Sequence, residues 1–182
     1  CSLSPHIVAE EAGLPCEFIL VSTKSHKLQD GTDFYSINPL GYVPFLVLDD
    51  GQTLREGPVI VQYLADQVPE KKLLPAVGSM ERYRVHKSFG PLFKPGTPED
   101  YKPAVREALR GRFEWVEQQL AGKDYLMGEQ FTVADAYLFT VSGWGKFVGL
   151  DLSDLPHLQA YLARVGSRPA VQAALRAEGL LK

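Results

Sequence analysis

Several places along this chain carry residue types that do chemistry. Cys1-Ser2 stand directly before Leu3-Ser4-Pro5-His6. Ser2 and Ser4 are helix-capping types and Pro5 suits a first helical turn, so a helix is predicted to run from there to Glu11 or Ala12 and to stop at Gly13. A thiol just ahead of a helix N-terminus meets unpaired N–H groups and the positive end of the helix dipole, both of which favour thiolate. Cys1 is therefore either a small inert residue or an activated sulfur. His6 reads as a buried supporting histidine rather than a base. Cys16 reads as a packed thiol.

Further on, Val43-Pro44 precedes the apolar run Phe45–Leu48. This is either an ordinary turn or a cis-proline bend that turns the Val43 amide and carbonyl toward an extended peptide. Glu56-Gly57 sits at the start of another predicted helix, where N–H groups suit a carboxylate and the Glu56 side chain suits an ammonium; plain complementarity to the helix dipole accounts for Glu56 equally well. His86-Lys87 offers an imidazole that changes charge near neutrality, as histidines do. A lone histidine is also commonly a surface or capping residue.

The elements that must hold these groups can be read from periodicity. Phe45–Leu48 is rich in strand formers, Asp49-Asp50-Gly51 is turn chemistry, and Thr53-Leu54 begin a return strand. Pro58 fits a first helical turn, and Val59, Ile60, Tyr63 and Leu64 repeat at helical spacing. Residues Cys16 to Val21 are predicted to be a strand. The polar stretch after them is predicted to hold a short helix before Asn38-Pro39. Residues 69–79 read as a Pro-bounded linker, and no convincing strand follows. Val105, Leu109, Phe113, Val116 and Leu120 form an apolar helical stripe. Thr132 and Asp135 have the spacing of a capping box and read as structural. Pro156 to Val165 and Pro169 to Ala177 are the last predicted helices, and Tyr101, Tyr137, Trp144 and Phe147 are expected in the core.

Composition sets bounds on partners. The 182 residues carry a net charge of −3, with no dense basic run, which argues against nucleic acid or an anionic membrane surface. No stretch is apolar and long enough to span a bilayer and no secretory segment stands out, so a cytoplasmic setting is expected. Two cysteines and four scattered histidines give neither a disulfide framework nor a metal-ligand pattern, and no metal is expected.

In order, the motifs VP, DDG, REGP and IVQYLAD resemble the glutathione-binding half of a glutathione transferase. CSLSPHIVAEEAG and GEQFTVADAYLF are similar to the bacterial beta class of that family. The resemblance covers essentially the whole chain. It implies a thioredoxin-like α/β domain over residues 1–70 and an all-α domain over 79–182. By the same resemblance Cys1, Ser2 and His86 act at the sulfur of glutathione. The tripeptide is held by Cys1, His26 or Lys27 at its glycine carboxylate, Val43 and Pro44 along its backbone, Glu56 and Gly57 at its γ-glutamyl end, and Val85 and His86 from the helical half. Counting back from Gly31 puts His26 where the family has a basic residue, with lysine chemistry one step away at Lys27.

The implied activity is conjugation of glutathione, a co-substrate, to small electrophiles, aromatic or halogenated, by a homodimer. A glutathione-dependent thiol-disulfide oxidoreductase or reductive dehalogenase using Cys1 is the alternative. A non-catalytic binding module on the same scaffold is a third reading, disfavoured by Cys1, Val43-Pro44, Glu56 and His86 standing together. A beta-class chain has about ten residues, one strand and a turn, ahead of this cysteine. It also has about three turns of helix where Arg84 here meets Val85. The given sequence is thus expected to omit residues at both places.

Overall fold

The computed structural model describes residues 2–75 and 102–181. Helix α1 (Leu3–Ala12) forms where the capping serines predicted it. Gly13 ends it with φ +66°: its N–H bonds the Glu10 carbonyl while the Leu14 N–H bonds the Ala9 carbonyl at 3.1 Å. That paired pattern satisfies carbonyls a helix end would otherwise orphan, and it needs a residue at ease with positive φ. The Lys71 ammonium adds bonds to the Glu11 and Ala12 carbonyls at 3.1 and 2.7 Å, placing a cation at the negative end of the helix.

The predicted hairpin is present. Strands β1 (Phe45–Val47) and β2 (Thr53–Arg55) pair antiparallel with Leu46 opposite Leu54. Gly51 at φ +83° and an Asp50 carboxylate accepting the Gln52 N–H at 2.9 Å make the turn. Helix α2 (Gly57–Asp66) follows at once and buries Ile60, Val61, Leu64 and Ala65. The short helix expected before Asn38 is a single 3-10 turn, Phe34–Ser36.

The strand expected over 16–21 does not form. Among the described residues its only pairing is an isolated bridge between Val21 and Leu28, and Phe18, Ile19 and Leu20 stand exposed. Strand-forming side chains make a strand only when another strand takes up their backbone hydrogen bonds, and among the described residues none lies alongside 16–20. Cys16 is half-buried and packed against the core as expected, and burial, with the Glu10 charge, pushes its thiol up.

Beyond the linker, α3 (Lys102–Leu120) buries Leu109, Phe113 and Leu120 from the predicted stripe, with Val116 packed against the core; the side chain of Val105 and all of Tyr101 lie outside the described residues. Helix α4 (Val133–Gly143) starts at the Thr132–Asp135 pair. Asp135 does more than the spacing promised. Its carboxylate, wholly buried, accepts the Thr132 N–H and hydroxyl, the Leu126 N–H at 2.8 Å and the Tyr161 hydroxyl at 3.1 Å. Burial pushes its carboxyl up against the pull of those donors. Tyr137 is half-buried and Trp144 packs on the core, but Phe147 is 73% exposed, contrary to expectation. It lies on the 3-10 turn Gly145–Phe147 that follows α4, which turns its ring to solvent beside Lys146.

Helices α5 (Pro156–Gly166) and α6 (Pro169–Ala177) complete the bundle. The entrance of α5 has no local side-chain cap; instead Glu117 from α3 reaches across to accept the His157 and Leu158 N–H groups at 3.0 and 2.8 Å. Helix α1 sits at the centre, packed on α2, α4 and α6. Ile7 and Val8 of α1, Ile60 of α2, Val133 of α4 and Val171 of α6 therefore share one core.

Candidate functional site

The entrance of α1 is fixed from the far end of the chain. Ser2 caps the helix by position but its hydroxyl bonds no helical N–H; it donates to Glu178 Oε2 at 3.2 Å. His6, one turn on and buried, donates from Nδ1 to Glu178 Oε1 at 3.1 Å. Its ring lies flat on Phe18, centroids 3.6 Å apart. The carboxylate of Glu178, just past the end of α6, thus ties the first turn of α1 to the end of α6. The His6 hydrogen bond leads in holding the Glu178 carboxyl below the ordinary glutamate range, with the Ser2 bond assisting and burial opposing.

A carboxyl depressed in the folded state contributes stability that is complete above its unfolded value, about 4.3 for glutamate, and lost as pH falls through the lower folded value. Wild-type protein is expected to lose stability across that acid window from this group. Glu178→Gln, which keeps the shape but not the charge, is expected to remove that slope. Thermal melts of both proteins between neutral and acid pH check it; parallel curves would deny Glu178 this role.

The second group centres on the hairpin. Val43-Pro44 is cis, as one of the two sequence readings had it. Asn38, fully buried, sets the approach to it: its side-chain amide donates to the Tyr42 carbonyl at 2.8 Å. A Cβ built on Gly57 would meet Pro44 Cγ at 3.7 Å, so the bend before β1 abuts the entrance of α2. Glu56 stands at that entrance with φ +69° and ψ 119°, a backbone conformation rare for a residue with a side chain, and its carbonyl accepts the Val59 and Ile60 N–H groups at 3.0 Å. Its side chain is exposed and makes no hydrogen bond or ion pair among the described residues.

His26 also has positive φ, +51°. Its ring packs on Tyr35 with centroids 4.6 Å apart, and its Nδ1 is buried without a hydrogen-bond partner among the described residues. Gly41 makes room for both rings: a Cβ there would come within 2.6 Å of Tyr35 and 3.0 Å of His26. Lys27 is exposed, its backbone engaged with Ser22 and Asp33.

The structure therefore brings Pro44 against Gly57, with Val43 and Glu56 adjoining in sequence, and packs the His26 ring against Tyr35 near Gly41, ahead of Val43. Cys1, Val85 and His86 lie outside the described residues. Sequence reading missed Glu178, Glu11 and Arg168. Nothing local marks them, since each finds its partner across nearly the whole chain. Among the described residues no group of histidine, cysteine and carboxylate side chains is placed to hold a metal, and no helix is long and apolar enough to cross a membrane.

Comparison with known proteins bears on what this arrangement serves. The family profile described as "Glutathione S-transferase, N-terminal domain" matches residues 1–67, and "Glutathione S-transferase, C-terminal domain" matches 80–169. The chain is 44% identical to glutathione S-transferase GstA of Escherichia coli O157:H7 over 99% of its length and 95% of that protein's. Among solved structures it is similar to BphK, a bacterial transferase in a ternary complex (54% identity, TM-score 0.89, 98% and 95% of the two chains). It is also similar to a sphingomonad glutathione S-transferase complexed with glutathione (43%, 0.87, 100% and 96%) and to a beta-class enzyme of Sphingomonas chungbukensis (42%, 0.88, 100% and 96%).

Proposed function

Because the chain belongs to the glutathione S-transferase family, we propose that it joins the thiolate of glutathione to small electrophiles, aromatic or halogenated compounds among them. Residues 1–70 bind the tripeptide and 79–182 hold the electrophile. The observation that carries this reading is the pairing of Pro44 with the α2 entrance at Gly57, beside an exposed and unengaged Glu56 carboxylate. A γ-glutamyl group carries an ammonium for Glu56 and a carboxylate for the first N–H groups of α2. The cysteinyl backbone then runs along Val43, the glycine carboxylate reaches His26 or Lys27, and the sulfur arrives at the α1 entrance by Cys1 and Ser2, facing Val85 and His86.

The chemistry follows from charge. Helix N–H groups and the imidazole of His86 favour the thiolate over the thiol. The thiolate attacks the carbon bearing a halide; a carbon–sulfur bond forms, the carbon–halogen bond breaks, and halide departs with the bonding electrons. The thiol proton passes to His86 and on to water. The protein works in the cytoplasm as a homodimer with no metal.

Glu56→Ala tests the anchor. Losing a charge-assisted hydrogen bond to the ammonium is expected to weaken glutathione binding by roughly 1.5–3 kcal/mol. Titration calorimetry checks it, and unchanged affinity would leave Glu56 with no more than its place in the helix start.

A second reading has one feature in its favour: the sequence puts a cysteine, Cys1, directly before Ser2. Its thiolate can attack the disulfide of a glutathione mixed disulfide, forming a Cys1–glutathione disulfide and releasing the other thiol. A second glutathione then restores Cys1 and leaves as oxidised glutathione.

A further inference from the structure

Helix α6 grips α1 at both ends. At one end Glu178 holds Ser2 and His6. At the other, Arg168, the residue that opens α6, clasps Glu11 in the last turn of α1 with two parallel bonds, Nε to Oε1 at 2.5 Å and Nη2 to Oε2 at 2.8 Å. The Arg168 guanidinium is itself held on every side. Its remaining nitrogen donates to the Tyr125 hydroxyl at 2.9 Å, and its plane lies 4.3 Å from the Phe131 ring centroid. The Glu11 side chain is 11% exposed and that of Arg168 28%, so the pair is partly withdrawn from water.

The two grips match in length. At about 1.5 Å of rise per residue, Ser2 to Glu11 spans about 14 Å and Arg168 to Glu178 about 15 Å. Two helices of equal span, packed together and pinned at both ends, cannot slide along one another. A partly buried ion pair adds little stability over apolar packing of the same volume, but its two parallel bonds fix geometry. Ile7, Val8 and Val171 are buried in one core where α1 and α6 meet; the clasp adds register.

We propose that Arg168 is a positioning residue for the transferase reaction: acting through Glu11 and the rigid body of α1, it sets where Ser2 and the helix entrance meet the glutathione sulfur. This rests on the function proposed above. Registry matters there because a displacement of about 1 Å at a reacting centre can cost about 100-fold.

The test uses Arg168→Met, which keeps the apolar stem, and Glu11→Gln, which keeps the shape of its partner. Glu117→Ala serves as a control that loosens the α5 cap remote from the site. Melting temperature, kcat/KM for glutathione, and the ultraviolet absorbance of bound glutathione thiolate at neutral pH are measured for each. Arg168→Met and Glu11→Gln are expected to lose about tenfold to 100-fold in kcat/KM and much of the thiolate absorbance, while the control falls in melting temperature alone. Should Arg168→Met fail to fold, Glu11→Gln decides by itself. Variants that lose only melting temperature, in step with Glu117→Ala, would reduce the clasp to a brace and overturn the proposal. A wild-type protein with no affinity for glutathione would instead overturn the functional reading beneath it, and this inference with it.

Discussion

Cys1→Ala protein is expected to lose reduction of a small glutathione mixed disulfide altogether, while keeping part of its conjugation of glutathione to a chlorodinitrobenzene. The two reactions use different sulfurs. In disulfide exchange the protein's own thiolate forms the mixed disulfide, and alanine offers no atom to bond. In conjugation the nucleophile belongs to glutathione, and on the function proposed the α1 entrance and His86 remain to favour the thiolate. Both activities measured on the same preparations decide the matter. Equal loss of both would break this division of labour, and full retention of both would make Cys1 a bystander.

His86→Ala is expected to damage both activities, by roughly 10²–10⁴-fold, the usual consequence of losing a positioned acid–base group. On the function proposed, the His86 imidazole serves either thiol, since each must shed a proton before it attacks. The loss should fall on kcat and narrow as pH rises, because hydroxide takes over the work of deprotonation. Steady-state rates across the neutral to alkaline range check this, and a loss that stays constant at all pH values would point to a role in shape rather than proton transfer.

What was legible in the sequence was local. Gly13 closes α1, Asp49-Asp50-Gly51 turns the hairpin and Thr132-Asp135 starts α4, because in each case the partners of the orphaned backbone groups lie within a few residues. The contacts that join distant elements are of another kind. Glu178 with Ser2 and His6, Arg168 with Glu11, and Glu117 with the α5 entrance join residues far apart in the chain, and no spacing rule connects them. Residues 16–21 show the converse error. Their composition favours a strand, yet pairing depends on a neighbour that side-chain type does not reveal. Phe147 errs for a similar reason: an aromatic ring is buried or bared by the direction of the turn that carries it. Glu56 was legible by type, as a carboxylate at a helix start, but its positive φ was not.

The most direct measurement of the central claim is a crystal structure of the protein with glutathione bound. The γ-glutamyl ammonium is expected on the Glu56 carboxylate, the cysteinyl backbone alongside Val43, and the sulfur at the α1 entrance within hydrogen-bonding reach of Cys1 or His86. Glutathione bound with its sulfur away from that entrance, or a crystal that takes up none at saturating concentration, would contradict it.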